Sequence, residues 1–175
     1  MTRSVNYSLL GSPIGELLLV ADEEGLSGLY MTPHAGGRAI GADWRRDDAA
    51  LAQPREQLEA YFAGELTEFT VGLVPRGTPF QLTVWAALRE IPFGETESYG
   101  ELAQRIGSPG AARAVGLANG RNPISVIVPC HRVIGANGSL TGYGGGLGRK
   151  ALLLAHEREV LGERPERVLA AGRLF

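Results

Sequence analysis

The chain has 175 residues, 44% of them apolar, and a formal net charge of −2. No apolar run approaches the roughly 18 residues of a membrane-spanning helix, so we expect no membrane partner. The single cysteine, Cys130, excludes an intramolecular disulfide and a multi-cysteine zinc site. With one cysteine and no basic-then-apolar leader pattern, we expect a cytoplasmic protein.

Charge is distributed unevenly along the chain. Residues 1–97 carry seven Lys or Arg against fourteen Asp or Glu, whereas residues 98–150 carry six against one. A basic segment within an acidic protein is typical of a surface that binds a polyanion. A chance cluster of solvated arginines would give the same counts, so charge alone leaves both interpretations open.

We predict that residues 1–76 form a small N-terminal domain with an antiparallel sheet and one helix. We predict no functional site in this domain. Runs of alternating apolar residues separated by turn residues favour short strands, and a proline followed by apolar residues at helical spacing favours a helix. The predicted elements are strands at residues 4–10, 14–21 and 26–31, a surface loop at 32–48, a helix from Pro54 to Gly64 and a candidate strand at 68–74.

Residues 77–175 predict a second, mostly helical domain that follows a linker at Arg76 and Gly77. Thr78 and Gln81 form a capping-box pattern at the start of one helix, and Ser98 and Glu101 do so for the next. A last helix is predicted from about residue 149 to 161, with Leu152, Leu153 and Ala155 on its apolar face. The fold class expected is therefore α+β.

Two short helices in this half are joined by a tight turn at Gly107. The second begins near Ser108 and carries Val115 and Ala118 on its inner side, which predicts a helix-turn-helix within a winged-helix-like domain. Arg113 lies about 200° round the helix from Val115, so it should face outward. Packed helix pairs also occur in proteins that bind no nucleic acid, so this pattern is only moderately specific.

Cys130 follows a short apolar segment, residues 124–128, that predicts a buried extended strand. Pro129 should keep the chain extended as it reaches Cys130, with His131 and Arg132 directly after it. A thiol beside an imidazole and a guanidinium is a candidate nucleophile. A free cysteine is also among the most buried residue types, so a structural role remains open.

Two alternative functions use the same residues. In a thiol hydrolase, Cys130 would attack a carbonyl with His131 as its base. Neighbours in an extended chain point to opposite faces, which disfavours the side-by-side pair that such enzymes use. In a non-catalytic DNA-binding or regulatory module, Cys130 would be structural.

Residues 122–146, NPISVIVPCHRVIGANGSLTGYGGG, resemble the active-site signature of the O6-alkylguanine-DNA alkyltransferases. The resemblance runs from about residue 79 to 157, through SYGELAQRIGSPGAARAVGLANGRNP before the signature and LLLAHE after it. One departure is Ser125, where many relatives have a second proline. We expect this change to loosen the entry to the predicted strand without removing a reacting group.

The resemblance implies a role for each matching residue. Cys130 would attack the alkyl carbon on O6 of guanine, His131 would take the thiol proton through a bridging water, and Glu157 would orient the imidazole. Tyr99 would donate to N3 of the leaving guanine, and Asn122 would tie the helix-turn-helix to the active-site segment. Arg113 would fill the space left by a flipped-out nucleotide. The remaining matches are DNA contacts at Ser108, Ala112, Gly116 and Arg121 and base-pocket residues Val133, Tyr143, Gly144 and Gly145.

The same resemblance implies the partner and the outcome of the reaction. The partner would be double-stranded DNA that contains O6-alkylguanine, bound in the minor groove, and no cofactor or metal would be needed. Each molecule would act once, because a thioether has no acyl centre for water to attack. We expect a monomer in solution; clustering on DNA and repair of O4-alkylthymine are left open.

Overall fold

The computed structural model describes residues 3–31, 39–141, 143 and 146–162, and the fold is α+β. A four-stranded sheet and one helix form the N-terminal half, and four further helices form most of the rest. One continuous core runs through both halves: Leu19 and Leu29 of the sheet belong to the same buried cluster as Val115 and Val128. Within the described ranges, no helix is long and apolar enough to cross a membrane.

The N-terminal sheet has the strand order β3-β2-β1-β4. Strands β1 (Asn6–Leu10), β2 (Leu17–Asp22) and β3 (Gly25–Met31) pair antiparallel, as the alternation in the sequence predicts. The prediction of a plain loop at 32–48 was wrong at Arg45–Arg46, a two-residue strand β4 that pairs parallel with β1. A strand of two residues is too short to show the alternation of apolar and polar residues that identifies a strand in a sequence.

The candidate strand at residues 68–74 was also wrong. This segment makes only an isolated parallel bridge, from Leu73 to Leu26. Leu26 accepts one backbone hydrogen bond from Val74 and donates one to Gly72, so the segment touches the sheet without continuing along it. Its apolar residues cover the sheet edge and do not extend the ladder.

The first two helices begin and end close to the predicted residues. Helix α1 (Ala52–Phe62) buries Leu58 and Tyr61, and Gly64 follows its end with a φ of 77°, a conformation that favours glycine. Helix α2 (Pro79–Leu88) has the predicted capping box, in which Thr78 and Gln81 each bond to the other's backbone N–H.

The helix-turn-helix consists of α3 (Tyr99–Arg105) and α4 (Ala112–Gly120). The Ser98 hydroxyl caps α3 by accepting from the backbone of Glu101, and Gly107, with a φ of 81°, makes the turn. Helix α4 begins at Ala112, later than predicted, because Ser108 and Ala111 close a separate turn first. Beside these helices, the short strands β5 (Glu97–Ser98) and β6 (Val133–Ile134) pair parallel.

Residues 124–128 do not form the extended strand that their apolar character predicts. They form a buried turn in which Ile127 bonds to Ser125, Val128 bonds to Ile124, and Val126 has a φ of 70°. All five residues are buried, so the four apolar ones among them reflect the burial of the turn and not membership of a sheet. The side chain of Asn122 bonds to the backbone of Ile124 and Val128, which supplies partners that a strand would have provided.

Ser125 ties this buried turn to the N-terminal sheet. Its backbone N–H donates to the carbonyl of Leu29 on β3 at 3.1 Å, and the N–H of Leu29 donates to Pro123 at 2.9 Å. A proline at position 125 has no N–H and could not make the first bond. The expected loosening at this position was therefore wrong, since the serine adds a backbone tie.

The last helix, α5 (Leu147–Gly162), is longer than predicted and turns a different face inward. Leu153 is buried as expected, but Leu152 and Ala155 are exposed, so this part of the prediction was wrong. The inward face carries two ionisable residues among its apolar ones. Its buried residues are Lys150, Leu153, Leu154, Glu157, Val160 and Leu161.

Candidate active site and the helix beside it

Cys130 lies in a single turn of 3₁₀ helix, Cys130–Arg132, and not at the end of an extended segment. The turn is held by a bond from Arg132 N to the carbonyl of Pro129, and Asn119 of α4 donates to the carbonyl of Cys130 at 3.3 Å. The prediction that Cys130 and His131 point to opposite faces assumed an extended chain, and that assumption was wrong because the backbone here is a 3₁₀ turn. The side chain of Cys130 is nonetheless almost fully buried, with 3% of the residue exposed.

Burial keeps the Cys130 thiol protonated. It raises the pKa of the thiol to about 11, and the opposing effects of the Asn122 side chain and the Lys150 charge are smaller. A thiol in this state is a poor nucleophile at neutral pH, because the thiolate is the reactive form. The site therefore needs a base that removes the proton as the thiol reacts.

Glu157, on α5, is completely buried and accepts five hydrogen bonds from described residues. Its Oε2 accepts from His131 Nε2 and from the hydroxyl of Tyr61, both at 2.6 Å. Its Oε1 accepts from Arg132 Nε at 2.8 Å and from the backbone N–H of Gly94 at 2.9 Å, and Arg132 Nη2 reaches Oε2 at 3.1 Å. Both oxygens are thus enclosed by donors.

These donors set the charges of Glu157 and His131. Burial alone would raise the pKa of Glu157, but His131 and Arg132 outweigh it and hold the pKa of the carboxyl far below its usual range. Burial also lowers the pKa of His131, and Arg132 and Lys150 act in the same direction against the attraction of Glu157. At neutral pH the site therefore contains a carboxylate beside a neutral imidazole.

The tautomer of His131 follows from this arrangement. An ionised carboxylate only accepts hydrogen bonds, so Nε2 must carry the proton and donate it to Glu157. The other ring nitrogen, Nδ1, then has a free lone pair, and this buried atom has no hydrogen-bond partner among the described residues. Nδ1 is therefore the atom that can accept the thiol proton.

Tyr99, at the start of α3, and Lys150, on α5, lie close to each other, with Lys150 Nζ 5.9 Å from the centre of the Tyr99 ring. The Tyr99 hydroxyl donates to the carbonyl of Thr141 at 2.8 Å, and its ring lies 3.6 Å from where a Cβ on Gly116 would stand. Lys150 is fully buried and donates to the carbonyls of Val133 and Thr141. Burial lowers the pKa of Lys150 to about 8, against the opposing charge of Cys130.

A cleft of about 480 Å³ opens between α4 and the start of α5. Gly116 and Arg121 line its α4 side, and Tyr143 lines the other. Tyr143 is buried, its hydroxyl contacts Met31 of β3 at 3.8 Å, and burial raises its pKa well above the usual value. Two predicted pocket residues, Gly144 and Gly145, lie outside the described residues.

The exposed side of α4 carries Arg113, Arg121 directly follows the end of the helix, and the helix contains no acidic residue. Arg113 and Arg121 are exposed, as predicted for Arg113, while Val115, Ala118 and Asn119 face the core. The predicted contacts Ser108 and Ala112 lie half-buried where the turn meets the start of this helix. An exposed, positively charged helix face is suited to phosphates.

Fewer basic side chains of residues 98–150 are available to bind a polyanion than their number in the sequence indicates. Arg105 is paired with Glu90 and Glu97, and Arg132 and Lys150 are buried in the active site. Half of the six basic residues therefore serve the fold or the site, and the exposed charge is concentrated on and beside α4. Counting charges along the sequence could not separate these two groups.

Comparison with known proteins follows the same division of the chain. The family model for the DNA-binding domain of 6-O-methylguanine DNA methyltransferase matches residues 79–159, and the model for the ribonuclease-like domain of the same enzyme matches residues 5–75. A methylated-DNA–protein-cysteine methyltransferase of Mycolicibacterium paratuberculosis is 56% identical, over 88% of this chain and 93% of its own. This chain belongs to that methyltransferase family.

Other members of the family agree in sequence and in fold. The methylated-DNA–protein-cysteine methyltransferase of Methanosarcina acetivorans is 56% identical over 86% of this chain and 97% of its own. The Mycobacterium tuberculosis OGT, solved in complex with DNA, has a TM-score of 0.84 and 55% identity, over 89% of this chain and 94% of its own. The O6-methylguanine-DNA methyltransferase of Pyrococcus kodakaraensis has a TM-score of 0.63 and 25% identity, over 87% and 98%.

Arg132 was already noted from the sequence as the guanidinium beside the thiol, but three other residues of this methyltransferase that the structure places at the site were not. Asn119 lies three positions before the predicted Asn122, and Lys150 lies seven positions before Glu157, on the same face of α5. Those two had a local signal in the sequence. Tyr61 had none, because it lies 96 residues from Glu157 in a half of the chain that was predicted to contain no site. That prediction was wrong.

Proposed function

We propose that this protein repairs O6-alkylguanine in duplex DNA by transferring the alkyl group to Sγ of Cys130. The observation that carries the proposal is the buried Cys130 thiol beside a His131–Glu157 pair whose free ring nitrogen is Nδ1. Membership of the methyltransferase family supports it, since two family models together match most of the chain.

The reaction is a displacement at an alkyl carbon. Sγ of Cys130 forms a bond to that carbon while the bond from the carbon to O6 breaks, and guanine is restored. The thiol proton passes to Nδ1 of His131 through a bridging water, and Glu157 stabilises the imidazolium that forms. Tyr99 releases its bond to Thr141 and donates to N3 of the guanine as negative charge develops there. The overall proton transfer is from the thiol to the released guanine.

We further propose that the damaged nucleotide is flipped out of the duplex before it reacts. Cys130 is buried, so a guanine within the base stack could not reach it unless it left the stack, which costs a few kcal/mol. Arg113 on the exposed face of α4 would fill the gap and bind in the minor groove, where readout is degenerate. Low sequence selectivity suits a protein that must inspect any sequence.

The product is a thioether, and no step of this scheme removes the alkyl group from sulfur. We therefore propose that each molecule reacts once, as a monomer, and remains alkylated. This distinguishes the proposal from a thiol hydrolase, whose acyl intermediate water would cleave.

Intact mass spectrometry tests the proposal directly. After incubation with excess duplex DNA that contains O6-methylguanine, we expect one methyl group per molecule, mapped to Cys130 by peptide analysis. Undamaged duplex of the same sequence is the control. Repair that continues past one equivalent, or a methyl group on another residue, would contradict the mechanism.

A further inference from the structure

Tyr61 joins the N-terminal half of the molecule to the His131–Glu157 pair. The tyrosine lies near the end of α1 and is fully buried. Its hydroxyl donates to Oε2 of Glu157 at 2.6 Å, and this is the oxygen that also accepts from Nε2 of His131 at 2.6 Å. The two donors therefore compete for the charge of one carboxylate oxygen.

The position of Tyr61 is defined by contacts on several sides. His156 Nε2 lies 2.8 Å from the backbone carbonyl of Tyr61, and the two rings are 5.1 Å apart. Phe93 packs edge-on against the Tyr61 ring at 5.9 Å, and Phe69 lies at 5.4 Å. Burial raises the pKa of Tyr61 well above its usual value, and the charge of Glu157 adds to the effect. The hydroxyl thus stays protonated and acts as a donor.

The ionisable groups around the pair have distinct effects on the imidazole. The Glu157 carboxylate favours the protonated form of His131, whereas the charges of Arg132 and Lys150 disfavour it. Tyr61 is neutral, so it acts through the hydrogen bond to Oε2. By stabilising the carboxylate, that bond weakens the attraction of Oε2 for a proton on the imidazole. His156 contacts the backbone carbonyl and the ring of Tyr61.

We propose that Tyr61 is a positioning residue for alkyl transfer, which fixes the Glu157 carboxylate and limits the basicity of His131. The inference rests on the proposed function of Cys130 and adds a group to the same reaction. With Tyr61 in place, Nδ1 of His131 stays unprotonated at neutral pH and is ready to accept the thiol proton. The N-terminal half, which carries no reacting group, thereby acts on the chemistry.

Substitution of Tyr61 by phenylalanine tests this inference, because it removes one hydroxyl and keeps the ring. We expect the acidic limb of the pH–rate profile for single-turnover transfer to move to higher pH by about 0.4 to 1 unit, the shift that one hydrogen bond would produce. Transfer below that limb should slow by the same factor, about threefold to tenfold. Tyr7→Phe is the matched control, since Tyr7 lies on β1 and is not one of the donors that surround Glu157.

A second measurement does not depend on transfer. Titration by NMR should show the pKa of His131 higher in Tyr61→Phe than in the unaltered protein. An unchanged His131 titration and a superimposable pH–rate profile would overturn the inference, even if Tyr61→Phe were less stable. Failure of the unaltered protein to acquire an alkyl group would instead overturn the proposed function. The titration would still test whether Tyr61 lowers the pKa of His131.

Discussion

Cys130 and Glu157 are both buried in the same core, yet their ionisation is shifted in opposite senses. The thiol is 3% exposed and its pKa rises, whereas the carboxyl is 0% exposed and its pKa falls. Burial opposes the charged form of each group. The carboxyl, however, accepts five hydrogen bonds, two of them from the Arg132 guanidinium. The hydrogen-bond donors and positive charges around a buried acid, and not its depth, therefore decide whether it is charged.

Because their pKa values are shifted in opposite directions, Glu157 and Cys130 have different roles in the proposed mechanism. Glu157 holds a permanent negative charge that its neighbours have already stabilised, so it can support an imidazolium as soon as one forms. In the proposed mechanism, Cys130 stays neutral until the alkylated guanine enters the site, because burial raises the pKa of its thiol. His131 lies between them in sequence and function, with Nε2 on the charged side and Nδ1 free.

Removal of the thiol should have the largest effect. Cys130→Ser should abolish alkyl transfer, because a buried hydroxyl is a far weaker nucleophile than a thiol. Binding to duplex DNA should be retained, since the exposed Arg113 of α4 and Arg121 beside it are unchanged. Intact mass and an electrophoretic mobility assay measure the two properties separately. A methyl group found on Cys130→Ser would show that another residue accepts it.

Removal of the charge at Glu157 should be the next largest effect. Glu157→Gln leaves Arg132 buried without its counter-ion and should lower the free energy of unfolding by about 3–5 kcal/mol. Urea unfolding measures this, and the exposed Glu159→Gln on the same helix is the control. Equal, small losses in both variants would show that the five donors around Glu157 do not stabilise its charge.

The raised pKa of Cys130 should appear as a pH dependence of stability. The thiol pKa rises from 9.0 to about 11 in the folded protein, so the unfolded chain loses this proton first as pH increases. The contribution is therefore fully present below pH 9 and is lost as pH rises towards 11, by about 2–3 kcal/mol. Unfolding of the unaltered protein and of Cys130→Ser should diverge across this window. Parallel pH dependences would contradict the burial argument.

Arg113 lies outside both environments and should give the smallest effect. Arg113→Ala should slow repair of duplex DNA by about 10 to 100-fold, if about 1–3 kcal/mol of the flipping cost is no longer offset. Reaction with free O6-benzylguanine, which needs no flipping, should change little. Tyr99→Phe should slow both reactions, because the hydrogen bond proposed for Tyr99 is to the leaving purine. Equal slowing of both substrates by Arg113→Ala would place the arginine in the pocket or the fold.

Much of the fold was predictable because local patterns encode local structure. The alternation in β1 to β3, the Thr78 capping box and the glycine turn at Gly107 each depend on residues close together in the chain. The outward position of Arg113 followed from helical spacing alone. The backbone conformation of residues 124–128 could not be assigned in this way. A run of apolar residues indicates that the segment is buried, but it does not distinguish a strand from a turn.

Cys130, His131 and Glu157 could be proposed as the reacting groups from the sequence alone, since they lie in a motif dense enough to be recognised. Their charges could be assigned only from the three-dimensional arrangement of their neighbours. Tyr61 reaches Glu157 across 96 residues, and the backbone of Gly94 reaches it across 63. The pKa of a buried group depends on every donor and charge within a few ångströms of it, and those neighbours are set by packing, not by distance along the chain.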